Sequence, residues 1–174
     1  MTTPFIDVAT ASIGLLIVRV ALGLLMAAHG SQKLFGWFGG HGLAGTAGFF
    51  DSLGFRPGRF FATLASATEV TSGLLLALGF LGPVGPALMI SVMIVAAVSM
   101  HLKNGLFAAN GGIEVPLLYG VVAAGLLLTG PGQYSLDAAL GLGYMATPMF
   151  AWAALAVGVV GGIMNLFVRR PVAA

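Results

Sequence analysis

The chain contains no cysteine. That excludes a disulfide framework, a thiol nucleophile and any Cys-ligated metal cluster. Charge is nearly as scarce: seven Lys/Arg and five Asp/Glu, 7% of 174 residues. Ordinary soluble domains carry roughly 25% charged residues. With so few, the chain cannot coat a water-facing surface, and a soluble globular domain is excluded. Basic runs are missing too. The net charge of +2 and the pI near 9.4 rest on scattered residues, which excludes a nucleic-acid partner. No Lys or Arg occurs in residues 1–18. The basic region of a secretory signal is therefore absent, and the first helix is expected to be retained.

What is present is apolar length. Hydrophobic residues make up 59% of the chain, and uncharged stretches cover 70–102, 115–136 and 138–168. A hydrocarbon core of about 30 Å takes about 20 apolar residues as a helix. The first stretch is too long for one span and breaks at Gly82-Pro83-Val84-Gly85-Pro86, a turn signal. Five transmembrane helices are expected, near 11–34, 57–80, 84–103, 114–130 and 148–168. Pro57, Pro83 and Pro148 stand at helix starts, where the missing N–H costs little. Gly130-Pro131-Gly132 closes the fourth helix. The fold class is an all-α membrane protein whose partner is the lipid bilayer. The length suits one domain, and no internal repeat stands out.

Between helices 1 and 2, Leu43, Ala47, Phe50 and Leu53 recur at helical spacing, which predicts a short interfacial or re-entrant helix. Trp37, Phe38, Phe49 and Phe50 suit a headgroup-level aromatic belt. An ordinary amphipathic connector and a lid over a site both fit. With five spans, Lys33, Arg56, Arg59, Lys103, Arg169 and Arg170 fall on one side, and the opposite loops carry no Lys or Arg. The positive-inside rule then predicts an outside N-terminus and a cytoplasmic C-terminus. Gly158 and Gly162 form a small-xxx-small pair on helix 5, and Ala65, Glu69 and Gly73 share a face of helix 2. Packing within the chain is the plain reading of these faces. A homodimer through helix 5 is the alternative.

Ionisable residues inside a membrane are costly and usually face a partner in the bundle interior. Arg19 and Glu69 both fall near mid-membrane by residue count at 1.5 Å per residue, and the expectation is a buried ion pair between them. That pair sets helix register, or Arg19 tunes Glu69 as a proton carrier. His29 and Lys33 lie one turn apart near the basic end of helix 1, with Gln32 adjacent. His101 ends helix 3 and Glu114 opens helix 4 at the same level. Lys33 also suits snorkelling to the interface, and Glu114 suits the positive end of its helix dipole. Together, His29, Gln32, Lys33, His101 and Glu114, with Glu69 below them, outline a polar pocket at the basic ends of helices 1–4. A quinone headgroup or small anion fits such a pocket, with Lys33 and His29 donating to an oxygen and Glu69 or Glu114 relaying a proton. A metal or haem on His29 and His101 is a weaker option, because no specific ligand spacing is present.

These residues resemble the DoxX family of small bacterial membrane proteins. The matching text is HGSQKLFGWFGGHG at 29–42, Thr46, Phe50, Gly54 and Pro57, Glu69, GLLLALGFLGP at 73–83, HLKNGLF from His101, Gly112 with Glu114, and GPGQYSLD at 130–137. The resemblance covers about 11–140 and implies a four-helix membrane core, preceded by a short segment at 1–10. It implies nothing about 141–174, read as an added fifth helix with a short basic tail. The family positions that carry over are His29, Gln32, Lys33, Gly36, Glu69, His101, Gly112 and Glu114. The family name comes from a subunit associated with a terminal quinol oxidase and a thiosulfate:quinone oxidoreductase system. Mycobacterial relatives look like the membrane component of a complex with a superoxide dismutase and a sulfurtransferase. The resemblance thus implies a membrane subunit of a redox system in the bacterial plasma membrane, linked to oxidative stress. Two other readings stand beside it: a non-enzymatic anchor recruiting soluble oxidoreductases, and a small-molecule or lipid transporter. For the transporter, the paired broken helices of inverted repeats are missing.

Overall fold

The computed structural model describes residues 7–170. Residues 1–6 of the expected N-terminal segment and 171–174 of the expected tail lie outside them. The helices are α1 (Val8–Phe35), α2 (Gly42–Ser52), α3 (Gly58–Leu78), α4 (Val84–Ala96), α5 (Glu114–Thr129), α6 (Leu136–Ala139) and α7 (Pro148–Phe167). α4 runs on through a π turn (Ala97–His101) and a 3-10 turn (Leu102–Asn104). The five long helices of the sequence reading are α1, α3, extended α4, α5 and α7, with every end within three residues of its expected place. α1, α3, extended α4 and α7 are long and apolar enough to cross a membrane, while α5 is apolar but has 16 residues. α5 still joins the two ends of the bundle. Its first amide bonds Leu106 O, in the loop after α4, at 2.8 Å. The loop that follows it reaches α1 through Gln133 N–H donating to Ser12 Oγ, 3.3 Å. The chain is an all-α membrane protein.

The helix ends follow from local chemistry. Asp7 caps α1 by accepting from Thr10 N at 2.9 Å and from the Thr10 hydroxyl. The Thr10 hydroxyl, then its amide, hold the Asp7 carboxyl below its ordinary value. Gly36 and Gly79 end α1 and α3 in the left-handed region, at φ 76 and 63, where a Cβ would clash.

α1 and α3 pack antiparallel through their smallest residues. Gly23 faces Gly73 and Ala77, and Gly30 faces Ser66 and Val70, with no room for a Cβ at any of the three glycines. In lipid, such close backbone approach supplies the packing that water-driven burial supplies elsewhere. α4 lies among α3, α5 and α7, with Met89, Ile90 and Met93 meeting Met26, Leu76, Leu126 and Leu127 in the core. Gly158 and Gly162 of α7 press on the Ala87 and Ser91 carbonyls of α4. The homodimer expected as an alternative through this face is therefore corrected: α4 of the same chain already covers it.

The expected connector helix is α2, preceded by one 3-10 turn at Trp37–Gly39. α2 packs on α1 and α3. Its buried Thr46 donates toward Gly42 O at 2.8 Å and lies 3.2 Å from Lys33 O. Asp51 accepts from Gly58 N at 2.8 Å, tying α2 to the start of α3. Trp37 and Phe38 are 59% and 70% exposed, as an interfacial belt requires.

Candidate functional site

Between α2, α3 and α4 lies a cavity of about 410 Å³, within the range of small-molecule sites. Each of these helices gives it one stripe. α3 presents Phe61, Leu64, Ala65, Thr68 and Glu69, at i, i+3, i+4, i+7 and i+8. α4 repeats that spacing from Leu88 through Ser91, Val92, Val95 and Ala96. The π turn carries the α4 wall on to Ser99 and Met100. α2 closes the cavity with Thr46, Phe49 and Phe50. α1 contributes Lys33, and α7 contributes Asn165. Most of the wall is apolar, and the polar groups are few and specific.

The dominant polar feature is an ion pair between Lys33 Nζ and Glu69 Oε1. The Glu69 side chain is 1% exposed and that of Lys33 36%. Glu69 Oε2 is buried and has no hydrogen-bond partner among the described residues. Helical side chains lean toward the N-terminus of their own helix. In an antiparallel pair, Lys33 near the end of α1 therefore leans into the bundle, and Glu69 leans back toward the start of α3. The two converge.

The same rule corrects the expected Arg19–Glu69 pair. Arg19, like Lys33, leans toward the start of α1, but from its position this carries it away from Glu69. It lies level with Ala77, eight residues beyond Glu69 on α3, or about 12 Å along the helix. Its guanidinium donates to the carbonyls of Ala77 and Tyr134. The register of α1 on α3 is set where Gly23 meets Gly73 and Ala77 and Gly30 meets Ser66 and Val70, so Arg19, four residues before Gly23, belongs to the far end of α3. There it fastens the 130–137 loop. In that loop Asp137 accepts from the amides of Leu81 and Gly82 at 2.9 and 2.6 Å, and both residues have positive φ.

Of the six residues expected in one polar pocket, the cavity brings together Lys33 and Glu69. His29 is exposed on α1 with its ring edge-on to Tyr119, 6.0 Å between centroids. Gln32 donates to Phe38 O at 3.1 Å and steadies the Trp37–Gly39 turn. His101 Nδ1–H donates to Gly111 O at 2.7 Å, and Glu114 accepts from Ala108 N at 2.8 Å. The last two shape the 102–114 loop. The expected convergence fails because residue counts along each helix do not fix azimuth: Gln32, His101 and Glu114 turn to nearby backbone, and His29 turns to the Tyr119 ring. His29 and His101 occupy separate settings. Among the described residues, no group of three or more His, Asp or Glu gathers as a metal site.

The cavity also uses residues that the sequence reading passed over: His41, Thr68, Ser91, Ser99 and Asn165. Asn165 carried a signal, as an amide in the last turn of an otherwise apolar span. Isolated Ser and Thr in such helices carry none. α7, expected as an addition to the core, is bound into the site's frame. Arg170 N–H donates to Gly54 O at 2.8 Å and Arg169 Nε to Leu53 O at 3.0 Å. The Arg169 guanidinium lies 5.6 Å from the centre of the Phe55 ring, a cation–π distance.

No curated protein and no solved structure matches the chain. The family model for DoxX matches residues 14–102, from within α1 to the turn that ends α4. That segment supplies every cavity-lining residue except Asn165 and covers just over half of the 174 residues. The chain belongs to the DoxX family.

Proposed function

We propose that the chain is an integral membrane subunit of a redox system that binds a quinone or a similar amphipathic small molecule between α2, α3 and α4. One observation carries this reading: an apolar, partly aromatic cavity of about 410 Å³ meets a buried carboxylate with one unpartnered oxygen. An unsatisfied buried acceptor is destabilising by about 1–3 kcal/mol, and a bound polar head relieves it. The hydrocarbon body of the ligand lies among Phe49, Phe50, Phe61 and Leu64. Lys33 and Glu69 replace the larger polar pocket inferred from sequence as the groups that hold the head. The plasma membrane is the natural compartment for such a subunit, and soluble oxidoreductases are its natural partners.

The test is saturable binding of 2,3-dimethyl-1,4-naphthoquinone to the purified chain in nanodiscs, read as a rise in melting temperature. Ala65→Phe on α3 and Ala96→Phe on α4 each fill the cavity from a different wall. Both are expected to abolish the shift while the protein remains folded by circular dichroism. A shift that survives both variants, or no shift in the parent protein, rejects the reading.

A further inference from the structure

The hydrogen-bonding capacity of the cavity wall is lopsided. Thr68 donates to Leu64 O at 2.7 Å and Ser99 to Val95 O at 2.5 Å. Thr46 is turned to Gly42 O, and Asn165 Nδ2 donates to Gly161 O at 2.9 Å. Each of these side chains spends a donor on its own helix, the ordinary behaviour of small polar residues in a helix interior. What they retain toward a ligand is mainly lone pairs. Glu69 Oε2 adds a charged acceptor with no partner. The donors that remain are the Ser91 hydroxyl, the His41 ring, one Asn165 N–H and the ammonium protons of Lys33 not used by Glu69.

We infer that the cavity selects a ligand whose head donates hydrogen bonds, a phenol or hydroquinone rather than a quinone carbonyl or an ether, with the hydroxyl placed between Lys33 and Glu69. The inference rests on the binding reading above. A hydroxyl there accepts from the Lys33 ammonium and donates to Glu69 Oε2, so both groups are satisfied. Rotation about the terminal bond of Glu, which is soft, turns Oε2 toward the head. A carbonyl accepts from Lys33 but leaves Oε2 unpartnered and sets two negative oxygens together. Sites built around a ligand hydroxyl discriminate strongly against analogues that lack it. Asn165 adds one N–H and its Oδ1 from α7, outside the segment matched by the family model.

The experiment compares three ring-matched probes on the full chain in nanodiscs, under anaerobic conditions. They are 2,3-dimethyl-1,4-naphthoquinone, its quinol, and the dimethyl ether of that quinol. The expected result is that the quinol binds at least tenfold more tightly than the other two. Each tenfold preference for the reduced form raises the midpoint potential of the bound two-electron couple by about 30 mV. Glu69→Gln presents an amide N–H where Oε2 stood, and the quinol–quinone gap is expected to shrink below threefold. Equal binding of quinol and quinone, or of quinol and ether, overturns the inference and leaves the binding reading standing. A quinol preference unchanged in Glu69→Gln overturns the placement at Glu69. Binding of none of the three overturns both. The parent-protein comparison requires no variant to fold.

Discussion

Lys33 and Glu69 meet because two antiparallel helices lean their side chains toward opposite ends of the bundle. The ion pair leaves one carboxylate oxygen buried and unpartnered. Removing one member of a buried pair strands the other and is far more damaging than replacing both. Lys33→Met is expected to lower stability by roughly 3 kcal/mol, and Glu69→Gln by less, because the amide still accepts from Lys33. The double variant Lys33→Met/Glu69→Gln should recover part of the loss. Reversible unfolding in detergent measures all three. Additive single losses would show that the pair is not coupled.

Arg19 acts on a different part of the molecule. Its two carbonyl partners belong to α3 and to the 130–137 loop, so one side chain fastens three segments. Arg19→Met should free that loop, raising hydrogen exchange at 130–137 at least tenfold while 58–70 remains protected. Arg19→Lys should rescue little, because an ammonium lacks the planar fork that reaches two divergent carbonyls.

The α1–α3 crossing tolerates no added carbon. Gly23→Val or Gly73→Val places a side chain against the opposing backbone. Overpacking of this kind typically destabilises by about 1–3 kcal/mol or more. The expected readout is a lower unfolding midpoint together with loss of ligand-induced stabilisation, since Lys33 and Glu69 ride on these two helices. Gly14→Val, on the same helix but with open space around it, should have little effect.

The lack of cysteine makes the orientation directly measurable. Cysteines at Tyr144 and Lys103, introduced one at a time, report on opposite ends of the bundle without background. The positive-inside reading predicts that an impermeant maleimide labels Tyr144→Cys in intact cells. Lys103→Cys should label only after the membrane is opened. The reverse pattern overturns the orientation.

The spans were legible because charge is so rare that its gaps define them, and Pro57, Pro83 and Pro148 mark three of the starts. Helix ends were legible from residue counts. The register between helices and the azimuth of side chains were not. His29, His101 and Glu114 each turn to a ring, a carbonyl or an amide rather than to the cavity. Arg19 was misplaced for a second reason. The register of α1 on α3, set where Gly23 meets Gly73 and Gly30 meets Ser66, together with the lean of side chains, puts it about 12 Å along the helix from Glu69. Asn165 was visible as an anomaly in an apolar helix, but only packing of α7 on α4 reveals which residues it faces.

The ties from Arg169 and Arg170 to Leu53 and Gly54 have a consequence for biogenesis. α2, α3 and α4 leave the ribosome before α7, so the end of α2 is fastened to the C-terminal arginines last. A ribosome stalled after α5 would expose an inserted bundle whose cavity wall still lacks Asn165. Completion of the wall is then an event in time, set by translation, and crosslinking between positions 53 and 169 along a series of arrested chains would date it.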